Sequence, residues 1–101
     1  MPLRDVEFDW NRDKANLNVK LHHVTFWEAA TVFDDPYACL VDDEDHSEEE
    51  HREIIVGYSE RNRLLFVSFT VRNEIIRLIS ARLAVQGERE EYEENYLHRL
   101  P

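Results

Sequence analysis

Glu53-Ile54-Ile55-Val56-Gly57-Tyr58, Leu64-Leu65-Phe66-Val67-Ser68-Phe69-Thr70 and Ile75-Ile76-Arg77-Leu78-Ile79-Ser80 decide the fold. Each run is rich in β-branched, aromatic and other apolar residues, which predicts three strands. Only Ser59-Glu60-Arg61-Asn62-Arg63 and Val71-Arg72-Asn73-Glu74 separate them. A parallel crossover takes a dozen or more residues, so such short spacers predict antiparallel hairpins. The runs are almost continuously apolar, which predicts a sheet covered on parts of both faces.

Outward from these strands, Tyr37-Ala38-Cys39-Leu40-Val41 predicts a short edge strand. Val6-Glu7-Phe8-Asp9-Trp10 alternates apolar and acidic residues, a period of two that predicts another. Asn11 then offers an N-cap with Asp13 in the first turn, and a helix is expected from 11 to about 22. Ala15, Val19 and His22 or His23 fall at helical spacing, while Asn16 and Asn18 weaken the propensity. Thr25 and Glu28 fit a capping box, and Phe26, Ala29, Ala30 and Phe33 recur as one buried stripe before Asp34-Asp35-Pro36 ends the helix. The tail from Glu88 to Leu97 predicts a last helix with Tyr92 and Tyr96 on one face. The order β-α-α-β-β-β-β-α predicts an α+β fold: an antiparallel meander sheet with two N-terminal helices and one C-terminal helix. The 101 residues leave room for one domain, spanning 1–101.

Composition excludes several classes. With 43% hydrophobic and 34% charged residues the chain is globular, and 2 Gly and 3 Pro argue against glycine-loop or collagen-like designs. The one cysteine, Cys39, excludes an internal disulfide or a multi-cysteine zinc site and reads as a small buried hydrophobe. No apolar run approaches the ~20 residues of a membrane helix. Met1-Pro2-Leu3-Arg4-Asp5 lacks the apolar core of a signal peptide, so a cytoplasmic location without membrane contact is expected. The net charge of -10 is uneven: residues 36–56 carry -7, whereas residues 57–87, which hold the strongest strand signals, carry +3. A small anionic-ligand site fits that map better than a broad phosphate-tracking surface.

Three groups of residues bear chemistry. Asp42-Asp43-Glu44-Asp45-His46-Ser47-Glu48-Glu49-Glu50-His51 has metal-ligating residue types, but neither the glycine of a calcium loop nor a paired-histidine spacing, so it reads as a solvated acidic loop or a docking surface for a basic partner. Arg61, Arg63, Arg72, Arg77 and Arg82 form the basic group. Arg77 and Arg82 sit in or beside an apolar strand, where a guanidinium needs a carboxylate or phosphate; a structural ion pair with Glu28 or Glu88 competes with a functional role. Strict alternation puts Arg77 with Ile75 and Ile79, and Arg82 with Ser80, so the two reach one site only if a bulge or the strand's end intervenes. His22, His23, His46 and His51 are candidate acids or bases near neutral pH. Arginines and histidines without a metal motif suit RNA cleavage by the substrate's own 2′-hydroxyl, with no cofactor and no metal expected.

Phe8-Asp9-Trp10-Asn11, Lys14-Ala15, Asn18, His22, Val24-Thr25-Phe26, Glu28-Ala29-Ala30, Phe33 and Asp35-Pro36 together resemble the N-terminal signature of the BrnT toxin family. The resemblance continues through Asp45-His46-Ser47, Arg52, Gly57-Tyr58-Ser59, Arg63-Leu64-Leu65, Arg77-Leu78-Ile79-Ser80-Ala81-Arg82, Glu88-Arg89 and Tyr92. It departs at Leu21, where the family carries a basic residue, and at Asn62, where it carries Gly. The resemblance implies a RelE-like fold and a ribonuclease toxin of a type II toxin–antitoxin module that arrests translation. It also implies a BrnA-like ribbon-helix-helix antitoxin as partner, RNA as substrate, and DNA contact only through the antitoxin. On that basis Arg77 and Arg82 are expected as electrostatic clamps with Arg63 assisting, and His22 or His46 as acid–base group. Lys14 and Glu28 are expected in support, and Tyr92 either stacks on a base or fills the core. The alternative from another class is a non-catalytic module of the same fold that binds a basic protein through its acidic loop.

Overall fold

The computed structural model describes residues 6–42 and 51–101. The acidic segment 43–50, including His46, lies outside the described residues. Five strands, β1 (Glu7–Trp10), β2 (Cys39–Asp42), β3 (Glu53–Tyr58), β4 (Leu64–Arg72) and β5 (Ile75–Leu83), form one sheet in the order β1-β5-β4-β3-β2. From β2 to β5 neighbours run antiparallel, as the short spacers predict for β3–β4 and β4–β5. The exception is β1, which pairs parallel to β5 with Phe8 opposite Ile76 and Trp10 opposite Leu78. The sheet is therefore mixed, and the expected antiparallel meander is corrected at that edge. Its cause is a pairing between segments 68 residues apart, of which Asp9 and Arg77 are the example, and local spacing carries no signal for it.

Three helices cover the sheet: α1 (Arg12–His22), α2 (Phe26–Thr31), continued by a 3-10 turn over Val32–Asp34, and α3 (Gln86–Arg99). Val24, Phe26, Ala29 and Val32 pack on one face against Ile55, Leu65, Val67, Phe69, Leu78 and Ala81. On the other face Tyr92 of α3 packs with Ile54, Val56 and Leu64. On this face Ser68 and Thr70 of β4 are buried, whereas Arg77 and Arg82 of β5 are partly exposed. Among the described residues no helix is long and apolar enough to cross a membrane.

Local chemistry explains the element ends. Asn11 Oδ1 accepts the Lys14 N–H at 3.0 Å, and Thr25 Oγ1 accepts the Glu28 N–H at 3.0 Å. The Glu28 carboxylate of the expected capping box instead turns inward to Arg63 and Ser59. Asn62, at φ 61°, supplies the left-handed residue of the β3–β4 turn. Asn18, which lowers helix propensity, is 5% exposed and ties α1 to β5. Its amide donates to the Ala81 carbonyl at 2.8 Å and accepts the Ala81 N–H at 3.0 Å, so a side chain continues the strand pairing where β1 has ended. Gly57 allows a close approach, since a Cβ there would lie 3.0 Å from both Ala38 Cβ and Val32 Cγ1.

Candidate functional site

The register of β5 decides which arginines meet. Ser68 of β4 faces Ser80, but the next residue, Phe69, faces Leu78, so Ile79 is an extra residue and bulges. Arg77 lies opposite Thr70 and Arg82 opposite Phe66. Thr70 and Phe66 are four apart on a regular strand, so both arginines project from the same face. The bulge sits directly after the last residue paired with β1.

On that face a cavity of about 200 Å³ is lined by Asn11, Lys14, Arg52, Thr70, Arg72 and Arg77. It lies where β1 hands over to α1, so the N-cap and first turn of α1 meet the middle of β5. Thr70 is buried, and its hydroxyl donates to the His51 carbonyl at 2.7 Å, which ties the segment before β3 to the groove. Arg77 Nη1 is 3.2 Å from Asp9 Oδ1, a pair in which both side chains are about a third or more exposed. Arg52 Nε and the Ser68 hydroxyl are buried with no hydrogen-bond partner among the described residues. A polar groove that gathers four cations, with a buried guanidinium N–H unsatisfied, is suited to an anion.

The remaining expected residues lie elsewhere. Arg82 makes a two-pronged pair with Glu88, both contacts 2.9 Å, and stacks its guanidinium 4.0 Å from the centre of the Phe66 ring. Burial pushes the Glu88 carboxyl up, but the Arg82 hydrogen bond, the Val85 N–H and the Arg82 charge outweigh it and hold it below the usual carboxylate range. Arg63 grips Glu28 through Nε at 2.9 Å and through Nη2, which also donates to the His23 carbonyl at 3.0 Å. Glu28 is 3% exposed and also accepts the Ser59 hydroxyl at 2.6 Å. The Arg63 hydrogen bond leads in holding the Glu28 carboxyl low against the opposing effect of burial, and the same bond raises Arg63. Tyr92 is 5% exposed, its hydroxyl donates to Asp35 Oδ2 at 2.8 Å, and its ring meets Tyr58 edge-on. Burial, then the Asp35 hydrogen bond and charge, push the Tyr92 phenol far up. Asp35 also accepts the Tyr37 and Tyr58 backbone N–H groups. His22 is exposed in the last turn of α1, ~12 Å along the helix axis from Lys14 at 1.5 Å per residue.

The structure thus brings Lys14 and Arg77 together, and leaves Arg63 with Glu28, Arg82 with Glu88, and Tyr92 with Asp35. Sequence reasoning gave no site role to Asn11, Arg52 or Thr70, and named Arg72 only as a member of the basic group. Arg52 precedes β3 and Arg72 ends β4, and only the three-dimensional pairing brings them to Lys14. Among the described residues no group of three or more His, Cys, Asp or Glu is placed to hold a metal ion.

A family model described as the ribonuclease toxin BrnT of type II toxin–antitoxin systems matches residues 10–88. No curated protein matches the chain. Among solved structures the chain is similar to the Brucella abortus ribonuclease toxin BrnT, with 20% identity and a TM-score of 0.62 over 80% of this chain and 99% of that one. At that identity the likeness is one of fold.

Proposed function

Because the chain belongs to the BrnT family of ribonuclease toxins of type II toxin–antitoxin systems, we propose that it is an endoribonuclease that cuts RNA without a metal ion and so inhibits translation. The observation that supports this most is the convergence of Lys14, Arg52, Arg72 and Arg77 on one groove in a chain of net charge -10. Cations gathered against so negative a background fit a phosphate-bearing ligand. In the proposed reaction the 2′-oxygen attacks the adjacent phosphorus as a base removes its proton. The bond from phosphorus to the 5′-oxygen breaks as an acid protonates that oxygen, leaving a cyclic phosphate. Lys14 and Arg77 hold the extra negative charge of the five-coordinate phosphorus, with Arg52 and Arg72 beside them.

Arg82, Arg63 and Glu28 act in this reading as positioning residues, since each of these arginines engages both oxygens of its carboxylate, whereas Arg77 meets Asp9 through a single 3.2 Å contact. Tyr92 supports α3 through Asp35. Proton transfer falls to His51, whose backbone Thr70 holds at the groove, or to His46. The partner proposed is a BrnA-like ribbon-helix-helix antitoxin that neutralises the enzyme and alone contacts DNA, and the compartment proposed is the cytoplasm.

The test is cleavage of translatable RNA by the purified protein in excess EDTA. Cleavage is expected to persist, and to fall roughly a hundredfold or more in Arg77→Ala. Arg77→Lys should recover part of it, because charge returns but the planar fork does not. His22→Ala should leave the pH–rate profile unchanged, whereas loss of the acid–base imidazole removes one limb. Activity lost in EDTA and restored by a divalent ion, or an Arg77→Ala variant that is folded and fully active, would overturn the reading.

A further inference from the structure

The cationic groove does not end at Arg77. A second cavity of about 160 Å³ is lined by Asp9, Arg72, Asn73, Ile75 and Arg77. Arg72 and Arg77 line both cavities, so the two adjoin at these side chains. The strand register puts them on one face. Arg77 pairs with Asp9 of β1 and with Thr70 of β4, and Ile75 pairs with Arg72. Residues two apart on a strand share a face, so Asp9, Ile75, Arg72 and Arg77 all project on the side of Thr70. The two cavities differ in chemistry. The first gathers Lys14, Arg52, Arg72 and Arg77, with no carboxylate among the described residues that line it. The second has Asp9, the Asn73 amide and the apolar Ile75 in place of Lys14 and Arg52. Asp9 offsets one guanidinium charge there, which makes the second cavity a poor place for another phosphate. Arg77 reaches only Oδ1 of Asp9, and the Asp9 side chain is 52% exposed. A carboxylate has about four lone-pair sites, so Asp9 can still accept N–H groups from a ligand.

We propose that this second cavity is a base pocket selective for guanine, beside the phosphate held by Lys14 and Arg77; the proposal rests on the ribonuclease reading and adds a base specificity to it. Single-stranded RNA is read by hydrogen bonds to the Watson–Crick edges of its unstacked bases. On that edge guanine sets two donors side by side, N1–H and the 2-amino group, with the O6 acceptor next to them. The Asp9 carboxylate accepts the two donors. The Asn73 amide, which both donates and accepts, gives an N–H to O6, and Ile75 offers apolar contact to the ring. Adenine and cytosine turn a ring-nitrogen lone pair to the place of guanine N1–H, where a carboxylate repels it. Uracil offers a single donor.

The probes are 2′-O-methyl oligouridylates, which cannot be cleaved, each carrying one guanosine, inosine or adenosine. Inosine keeps O6 and N1–H but lacks the 2-amino group. The parent protein should bind the guanosine strand roughly tenfold more tightly than the adenosine strand, with the inosine strand between them. Asp9→Asn keeps the size of the side chain and removes its charge, and it should bind the guanosine and inosine strands alike. Asn73→Gly keeps the positive φ of the turn and removes the amide, and it should lower the preference for guanosine over adenosine. A parent that binds the three strands equally, or a preference untouched by either substitution, would overturn the pocket and leave the ribonuclease reading standing. An Asp9→Asn variant that weakens all three strands by one factor would make Asp9 only a holder of Arg77, and would overturn the pocket too. Binding of no strand by the parent would overturn both readings.

Discussion

At the scale of single residues, Glu28 shows how a carboxylate that looks like chemistry becomes structure. It is 3% exposed, and its two oxygens are taken by Arg63 and Ser59. Removing one partner leaves a buried charge alone, so Arg63→Ala should cost about 3 kcal/mol of stability, read from denaturant unfolding. The folded carboxyl titrates below its unfolded value, chiefly through the Arg63 bond. It therefore adds stability that is present above the unfolded value of about 4.3 and is lost as pH falls through the folded one. Glu88 is shifted in the same direction and loses its contribution in the same window. Glu28→Gln should accordingly be less stable at pH 7 and lose less of what remains between about pH 5 and 2. A variant whose acid limb overlays the parent's would show that Glu28 is not coupled to folding.

At the scale of elements, what was legible was local. Spacer length predicted the hairpins, Asn11 and Thr25 predicted the helix starts, and both N-caps are made. What was not legible was pairing at a distance. The parallel lie of β1 on β5 and the bulge at Ile79 depend on how the ends of the sheet meet, and together they decide that Arg77 and Arg82 share a face. Asn18 was legible only as a poor helix former, because its partner is 63 residues away. The β4–β5 turn holds a strain of its own. Asn73 and Glu74 both have positive φ, 50° and 67°, the pattern of a two-residue hairpin that favours Asn-Gly. Asn accepts this conformation readily, whereas Glu pays ~1–2 kcal/mol for it. Glu74→Gly should stabilise the protein by about 0.5–1 kcal/mol after the entropy of glycine is subtracted, a rise of several degrees in thermal midpoint. A lower midpoint would mean that the Glu74 side chain holds the turn.

For the whole molecule, the question is how a chain of net charge -10 holds a polyanion at all. Exposed charges are screened beyond ~10 Å at 0.1 M salt, so the surplus of carboxylates elsewhere on the surface repels RNA only weakly, and the groove attracts it at contact. Contact is what sets the salt dependence of affinity, because each neutralised phosphate of a single strand contributes a slope of about -0.7. Lys14, Arg52, Arg72 and Arg77 line one groove, so the logarithm of affinity for a non-cleavable strand should fall with the logarithm of salt at a slope of up to about -3. That is roughly a fiftyfold loss from 50 to 200 mM. Lys14→Ala should make the slope shallower by about 0.7. Arg82→Ala should leave it unchanged, because Glu88 already holds both of its terminal nitrogens. Titrations at four or five salt concentrations separate the two. Equal reductions would mean that Glu88 releases Arg82 when RNA arrives and that the strand runs on past the Ile79 bulge, so that the shared face of β5, rather than the groove alone, is the binding surface.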